Sequence, residues 1–234
     1  MRVLTDPVLR RRVAHLLREA PLAGEEALGA LDAVVVSHMH HDHFDPPSLR
    51  RIDRGTQLIV PRGAGKACQK LGFGQVTELG VGESALVGTT TITGTYAAHR
   101  GGRLLARGSE AIGFLISRTE RVYFAGDTDI FPEMRNLRGE LDLALLPVGG
   151  WGPKLGPGHL DAHRAAEALT LLEPRVAVPI HWGTLYRMGM ARSRRALLGD
   201  PPHEFAREAA RVAPAVDVRI VQPGETTIVE PAGA

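Results

Sequence analysis

Four of the chain's ten histidines lie between positions 38 and 43, in the sequence SHMHHDHFD. They follow a β-branched run, DAVVVSH at 32–38, which predicts a buried strand ending at the histidines. Neutral imidazole is the commonest protein metal ligand near neutral pH, and an adjacent carboxylate, Asp42, suits a divalent cation. The cluster therefore indicates a metal site, with a solvated group of surface side chains as the alternative.

Length and composition limit the classes of protein that this chain can represent. Its 234 residues, 44% of them hydrophobic, suit a substantial core, and we predict a single domain over 1–234. No apolar run approaches the ~20 residues that span a membrane, and no signal peptide is visible at the N-terminus. The one cysteine, Cys68, cannot form an internal disulfide, so we expect a cytoplasmic location.

The charge distribution does not point to nucleic acid as a partner. Lysines and arginines number 28 against 26 acidic residues, which leaves a formal net charge of +2. Two short runs are basic, RRR at 10–12 and RSRR at 192–195. We interpret both as solvated helix or loop surface, and a phosphate-binding patch is the alternative.

Hydrophobic periodicity and turn residues predict alternating strands and helices along the chain. Helices are predicted at 8–20, 46–52, 63–73, 161–174 and 202–213. Strands are predicted at 2–5, 32–38, 57–60, 75–79, 84–88, 91–98, 111–117, 121–125, 141–148 and 175–181, with a closing hairpin over 216–229. Because the sheets need helices to cover them, the pattern indicates a layered α/β fold.

Three further apolar strands end on a polar side chain of the kind that binds metal. TGTYAAH ends at His99, VYFAGD at Asp127 and VAVPIH at His181. Each of these residues alone could be a structural polar group. Ligands in α/β folds bind where strands end at one edge of a sheet, so four such endings together favour a shared site.

The order His38-x-His40-x-Asp42-His43, then His99, Asp127 and His181, resembles the metallo-β-lactamase superfamily of metallohydrolases. The segments HMHHDHFD, YFAGDTD, LLPVGGWGP and PIHWGT are similar to one branch, which contains L-ascorbate-6-phosphate lactonase-like proteins and N-acyl-phosphatidylethanolamine phospholipase D. The likeness covers nearly the whole chain. It implies an αββα sandwich, with two facing sheets, helices outside and the site at one edge.

The resemblance also implies two divalent metal ions and divides the ligands between them. Diiron members replace a histidine of the first motif with glutamate, so histidine at position 40 favours zinc and hydrolysis, with manganese or iron as alternatives. The first ion would be held by His38, His40 and His99, the second by Asp42, His43 and His181, and Asp127 would bridge both.

The implied activity is hydrolysis of a phosphodiester or lactone, small or lipid-like, by a metal-bridging hydroxide. Asp42 and His159 are the predicted catalytic residues; His159 would hydrogen-bond to a developing oxyanion or leaving group, or belong to a helix-capping neighbourhood. Asp6 is similar to an aspartate that orients a metal ligand, or it simply makes a turn. The alternative functions are a non-catalytic metal-binding protein and an inactive truncated homologue.

One departure from the family concerns the segment LTDP at 4–7. The resemblance implies additional strands before this segment, which here begins at residue 4. Either the chain starts late or the sandwich lacks its first strands. A missing strand would leave an unpaired sheet edge, and we expect a second subunit to cover it in a homo-oligomer.

Overall fold

A computed structural model describes residues 1–22, 24, 28–100, 108–139, 141–151, 155–190 and 199–230. The helices are α1 Pro46–Leu49, α2 Gly65–Gln69, a 3₁₀-helix Pro132–Leu137, α3 Ala162–Leu172 and α4 Pro201–Val212. The first strands are β1 Val3–Thr5, β2 Arg12–Val13, β3 Leu16–Arg18, β4 Ala33–Val35, β5 Gln57–Pro61, β6 Val76–Leu79 and β7 Ser84–Val87. The others are β8 Thr90–Tyr96, β9 Ile112–Ser117, β10 Arg121–Phe124, β11 Leu143–Pro147, β12 Val176–Ile180, β13 Leu185–Arg187 and β14 Asp217–Val218.

Two sheets carry the architecture. The first has four parallel strands in the order β1-β4-β5-β6, so β1 forms one of its edges. The second has seven strands in the order β14-β12-β11-β10-β9-β8-β7. In it, β10, β11, β12 and β14 pair in parallel, whereas β7, β8, β9 and β10 pair antiparallel.

The buried apolar side chains form three layers, as expected for a sandwich with helices on both outer faces. One cluster lies between the sheets and contains Ala33, Val35, Ile59, Leu79, Val87, Ile92, Ile112, Phe114 and Phe124. A second packs the first sheet against α1 and α2 and includes Leu58, Leu49 and Cys68. A third packs the second sheet against α3 and α4 and includes Leu146, Leu169 and Phe205. The predicted αββα arrangement is confirmed.

The segment 8–20 was predicted as a helix, and this prediction is wrong. The segment contains β2 and β3, which pair as a hairpin, and β13 pairs with the other side of β3 to complete a small third sheet. Ala14, in the turn, has a φ of 49°, outside the helical region. Val13 and Leu16 are buried by this pairing, so their spacing reflects a hairpin and not a helical face.

The predicted closing hairpin over 216–229 is also not found. Its only strand in the described part of the chain is β14, which adds two residues in parallel to β12. The following segment continues beside β12, where Arg219 N donates to Ala177 O at 2.9 Å.

None of the helices within the described ranges has the length and apolarity needed to cross a membrane. Of the two basic runs, 192–195 lies outside the described residues. In the other run, the Arg10 guanidinium binds both carboxylate oxygens of Asp45, at 2.7 and 2.8 Å.

Candidate metal centre

Strand direction brings the predicted ligands to one edge of the sandwich. Strand β9 is antiparallel to both β8 and β10, so β8 and β10 point the same way, and β12 is parallel to them through β11. His99, Asp127 and His181 follow the ends of these three strands and therefore meet at one edge. The histidine cluster follows β4 of the facing sheet and closes over the same edge.

All seven predicted ligands lie in two groups whose candidate ligand atoms are within 4.8 Å of one another. In the first group, His99 Nε2 is 3.3 Å from His40 Nδ1, and His38 Nε2 is 3.9 Å from Asp127 Oδ2. This first group contains His38, His40, His99 and Asp127, and the second group contains Asp42, His43 and His181.

The second group surrounds a short contact between two imidazoles. His43 Nε2 and His181 Nε2 are 3.1 Å apart, and Asp42 Oδ2 lies 3.7 and 3.6 Å from them. Asp127 reaches this group too, because its Oδ2 is 3.2 Å from His43 Nε2 and its Oδ1 is 3.5 Å from His181 Nε2. Asp127 therefore lies between the two groups.

Acceptors outside the centre fix the ring orientation of three histidines. The Nδ1 of His43 is 2.7 Å from an Asp6 carboxylate oxygen, that of His99 is 2.7 Å from Gly158 O, and that of His181 is 2.9 Å from Gly149 O. An Nδ1 facing a carbonyl or carboxylate must carry the proton, which leaves a lone pair on Nε2 of the neutral ring. These lone pairs point into the centre.

The donor arrangement fits cations. His43 Nε2 and His181 Nε2 face each other at 3.1 Å, so either a proton or a metal ion must lie between them. His38 Nε2 and Asp127 Oδ1 are buried and have no hydrogen-bond partner among the residues that the structure describes, although such groups are costly to leave unpaired. Imidazole and carboxylate donors in this mixture suit zinc and similar divalent ions.

Burial and charge shift the pKa values of the two groups in opposite directions. Burial is the main cause that lowers the pKa of His38 well below its usual value, and burial with His99 lowers the pKa of His40 to about 4. Burial also opposes the charged form of His181, but the carboxylates of Asp127 and Asp42 outweigh it and raise its pKa to about 9. The first group therefore offers neutral imidazoles, whereas the second holds positive charge beside carboxylates.

The pKa values of the two carboxyl groups are lowered. Burial would raise the pKa of Asp127, but His181 and His43 outweigh it and hold the value well below the usual range. Burial likewise acts against the ionised form of Asp42, and His43 and His181 again lower its pKa. Both side chains are therefore anionic at neutral pH, the form in which a carboxylate binds a cation.

His159 and Asp6 both lie beside the ligand groups. His159 Nε2 is 3.5 Å from Asp127 Oδ2, its Nδ1 is 3.0 Å from Gly156 O, and its side chain is 25% exposed. The hydrogen bond with Asp127 raises the pKa of His159. Asp6 contacts His43 from outside the centre.

Several groups that shape the centre were not predicted from the sequence. Ser37, directly before His38, contacts both Asp6 and the His38 ring. The position of the Ser37 hydroxyl, at the end of the predicted strand and directly before His38, could have indicated these contacts. The carbonyls of Gly149 and Gly158 are backbone groups, so no residue type could indicate them.

A cavity of about 330 Å³ opens beside the second group. Asp42, His43, Asp127 and His181 line it, but the three histidines of the first group do not. The rest of the lining is mainly apolar and includes Leu4, Val8, Phe124, Leu145, Trp151, Ile180 and Leu185. Trp151 is a half-buried residue of the cavity wall.

Comparisons with known proteins agree with this fold and donor set. Residues 1–182 match the model of the beta-lactamase superfamily domain. A metal-dependent hydrolase of Rubrobacter xylanophilus is 32% identical over 95% of this chain and 87% of its own length. An N-acyl-phosphatidylethanolamine-hydrolyzing phospholipase D of Caenorhabditis elegans is 33% identical, over 81% of this chain but only 60% of its own length.

A solved structure also supports a metal-dependent hydrolase fold. Igni18, a metallo hydrolase from the archaeon Ignicoccus hospitalis, is 28% identical and has a TM-score of 0.64 over 84% of this chain and 78% of its own. Fold, donor set and relatives are consistent with one another. The chain belongs to the metallo-β-lactamase superfamily of metal-dependent hydrolases.

Proposed function

We propose that the protein is a dinuclear hydrolase whose substrate is a phosphodiester or a lactone. The observation that carries this proposal is the pair of donor groups that share Asp127. Two zinc ions are the favoured occupants. His38, His40 and His99 would hold one ion, Asp42, His43 and His181 the other, and Asp127 would bridge both.

Such a pair of ions, when bound, activates water and polarises a carbonyl or phosphoryl oxygen. The chain's own contribution is to hold the donors rigidly at strand ends and to fix the tautomers of the imidazoles. Asp42 belongs to this catalytic set because it is anionic and lines the cavity in which a substrate would lie.

His159 supplies the proton-donating group in this proposal. Its Nε2 faces the centre, it is partly open to solvent, and contact with Asp127 favours its charged form. It can therefore hydrogen-bond to a leaving group or a developing oxyanion. The N-terminus of α3 is capped by Asp161, whose Oδ1 accepts from Arg164 N at 2.9 Å. This bond does not involve the His159 side chain, which weakens the interpretation that His159 belongs to a helix cap.

The cavity supports a substrate with an apolar portion. Its lining on the side of the second group is mainly apolar, and a lipid-like phosphodiester or a lactone with a hydrocarbon substituent would bury apolar surface there. The phospholipase among the relatives is consistent with the lipid-like choice.

The first experiment measures hydrolysis of bis(p-nitrophenyl) phosphate and of an alkyl-substituted lactone by zinc-loaded protein, with and without a chelator. Chelator-sensitive turnover of either compound supports the hydrolase, and the preferred compound selects between the two bond types. Bound zinc without turnover of either would instead favour the metal-binding protein.

The His159→Ala variant tests the proton-donating role. We expect kcat to fall by about 10²–10⁴-fold with the zinc content unchanged, because a positioned acid contributes this much. His203→Ala is the matched control, since His203 is an exposed residue of α4 that belongs to neither ligand group. Full activity of His159→Ala would remove His159 from the mechanism.

We also propose that a second copy of the chain covers the edge of the first sheet at β1. No strand pairs with the outer side of β1 within the described residues, and Val3, Leu4 and Thr5 are partly exposed there. An unpaired edge is a template for association. Light scattering should give a multiple of the 25.2 kDa chain mass, and a monomer mass would contradict the proposal.

A further inference from the structure

Strand β3 places Arg18 in the wall of the cavity that opens beside the metal centre. Arg18 lies opposite Leu185 in the β3–β13 pair, and Leu185 and Thr184 line the same cavity. Asp42 and His181 of the second ligand group line it too. A ligand that fills this cavity can therefore contact both the centre and Arg18.

Arg18 carries a positive charge into mainly apolar surroundings. Among the described residues of the cavity wall, it is the only arginine or lysine. Burial lowers the pKa of Arg18, but a guanidinium titrates so far above neutrality that it stays charged at pH 7. Such a charge is costly to bury unless it is paired and hydrogen-bonded.

Backbone carbonyls hold the guanidinium in place without neutralising it. Its Nε donates to Arg10 O at 3.4 Å, and its Nη2 donates to Val8 O. A guanidinium has five N–H groups, so both hydrogens of Nη1 are left without an acceptor in the part of the chain that the structure describes. No carboxylate within that part forms an ion pair with Arg18.

The carboxylates that share the cavity wall with Arg18 are engaged at the metal centre. Asp6 contacts His43 at 2.7 Å, Asp42 lies 3.7 Å from His43, and Asp127 lies 3.5 Å from His181. None of them neutralises Arg18. The free N–H groups of Arg18 are therefore available to an anion that enters the cavity.

We propose that Arg18 binds an anionic group of the substrate that is separate from the bond to be cleaved. This inference rests on the proposed function, and it narrows the substrate to a lactone or phosphodiester whose hydrocarbon portion carries a carboxylate or phosphate. The planar fork of a guanidinium binds either anion through two parallel hydrogen bonds. The apolar side chains of the wall accommodate the hydrocarbon. Arg18 thus determines specificity and does not touch the reacting atoms.

The test compares three probes of equal chain length, octanoate, octyl phosphate and the neutral octanamide, by binding calorimetry on zinc-loaded protein. At least one anion should bind about 10–100-fold more tightly than octanamide, because a hydrogen bond to a charged group contributes this much. Arg18→Met, which removes the charge, should bind all three probes with similar affinity. Arg18→Lys, which keeps the charge but not the fork, should retain a smaller preference for the anion.

Arg12→Met is the matched control. Arg12 is an exposed arginine of the adjacent strand β2, its Nε donates to Ala14 O, and it is not among the residues that line the cavity. This variant should keep the full preference for the anion. Loss of the preference in Arg12→Met would mean that the small sheet as a whole, and not Arg18, is responsible.

Three results would overturn the inference. Equal binding of all probes by the unaltered protein would show that no anion site exists. A preference that persists in Arg18→Met would place the anion at the metal centre. An equal loss of affinity for all three probes in Arg18→Met would leave Arg18 with only a structural role.

Repeating the calorimetry after zinc is removed by a chelator separates this inference from the proposed function. A preference that depends on Arg18 in protein without zinc or turnover would support the anion site while the hydrolase fails. Turnover of a lactone or phosphodiester that is unaffected by Arg18→Met, with no preference among the probes, would keep the hydrolase and reject the anion site.

Discussion

His181 shows how a single residue serves the centre through its backbone and its side chain. It follows β12 with a φ of 61°, in the left-handed region, so the chain turns sharply where the strand ends. Its Nδ1 is 2.9 Å from Gly149 O, beside the end of the neighbouring strand β11. The ring is therefore fixed with Nε2 toward Asp127 and Asp42.

Zinc binding to the second group should depend on pH through His181. Its pKa of about 9 means that the metal-free protein holds a proton there at neutral pH, and an ion must displace it. Below that pKa, affinity should rise with pH by about tenfold per unit for each proton displaced. Zinc competition between about pH 6 and 8 measures the slope. His181→Ala should reduce this slope, and an unchanged slope would contradict the assignment.

At the residue scale, the sequence predicted the side chains that meet at the centre and an orienting role for Asp6, but not the contacts of Ser37 or of the backbone carbonyls. His99, Asp127 and His181 could be grouped because each ends an apolar strand. The role of Ser37 depends on where Asp6 lies, 31 positions away in sequence, and this proximity follows from the parallel pairing of β1 with β4. The assignment of ligands to individual ions stays a prediction until metal binding is measured.

Helix α3 carries a prediction about capping. Asp161 precedes the helix in an extended conformation and accepts from Arg164 N at 2.9 Å. Asp161→Ala should lower the free energy of unfolding by about 1 kcal/mol. Asp200 precedes α4 but its side chain makes no capping hydrogen bond, so Asp200→Ala should cost much less. Urea unfolding measures both, and equal losses would contradict this explanation.

The elements that the sequence misassigned are those whose structure depends on distant partners. Residues 8–20 contain apolar side chains near helical spacing, but β3 pairs with β13, and Leu17 is opposite Tyr186. That pairing joins segments about 170 positions apart, which local periodicity cannot reveal. The strands of the two large sheets were predictable because they combine β-branched runs with bounding turn residues.

At the scale of the whole molecule, the metal centre joins parts of the chain that otherwise belong to different sheets. His38, His40, Asp42 and His43 follow β4 of the first sheet, whereas His99, Asp127 and His181 follow strands of the second. Bound ions would therefore connect the two sheets at the open end of the sandwich. We expect ion binding to stabilise the whole fold and not only a loop.

Removal of the ions by a chelator should lower the melting temperature of the whole molecule. An ion present at 100 times its dissociation constant contributes about 2.7 kcal/mol, and each kcal/mol shifts Tm by about 2–4 °C in a chain of this size. Calorimetry should therefore show a fall of at least about 5 °C, with one cooperative transition if residues 1–234 form a single domain. In an Asp127→Asn variant, which alters the residue shared by both groups, the chelator should lower Tm by less. An unchanged Tm would mean that the ions do not connect the sheets, and two separate transitions would contradict the single domain.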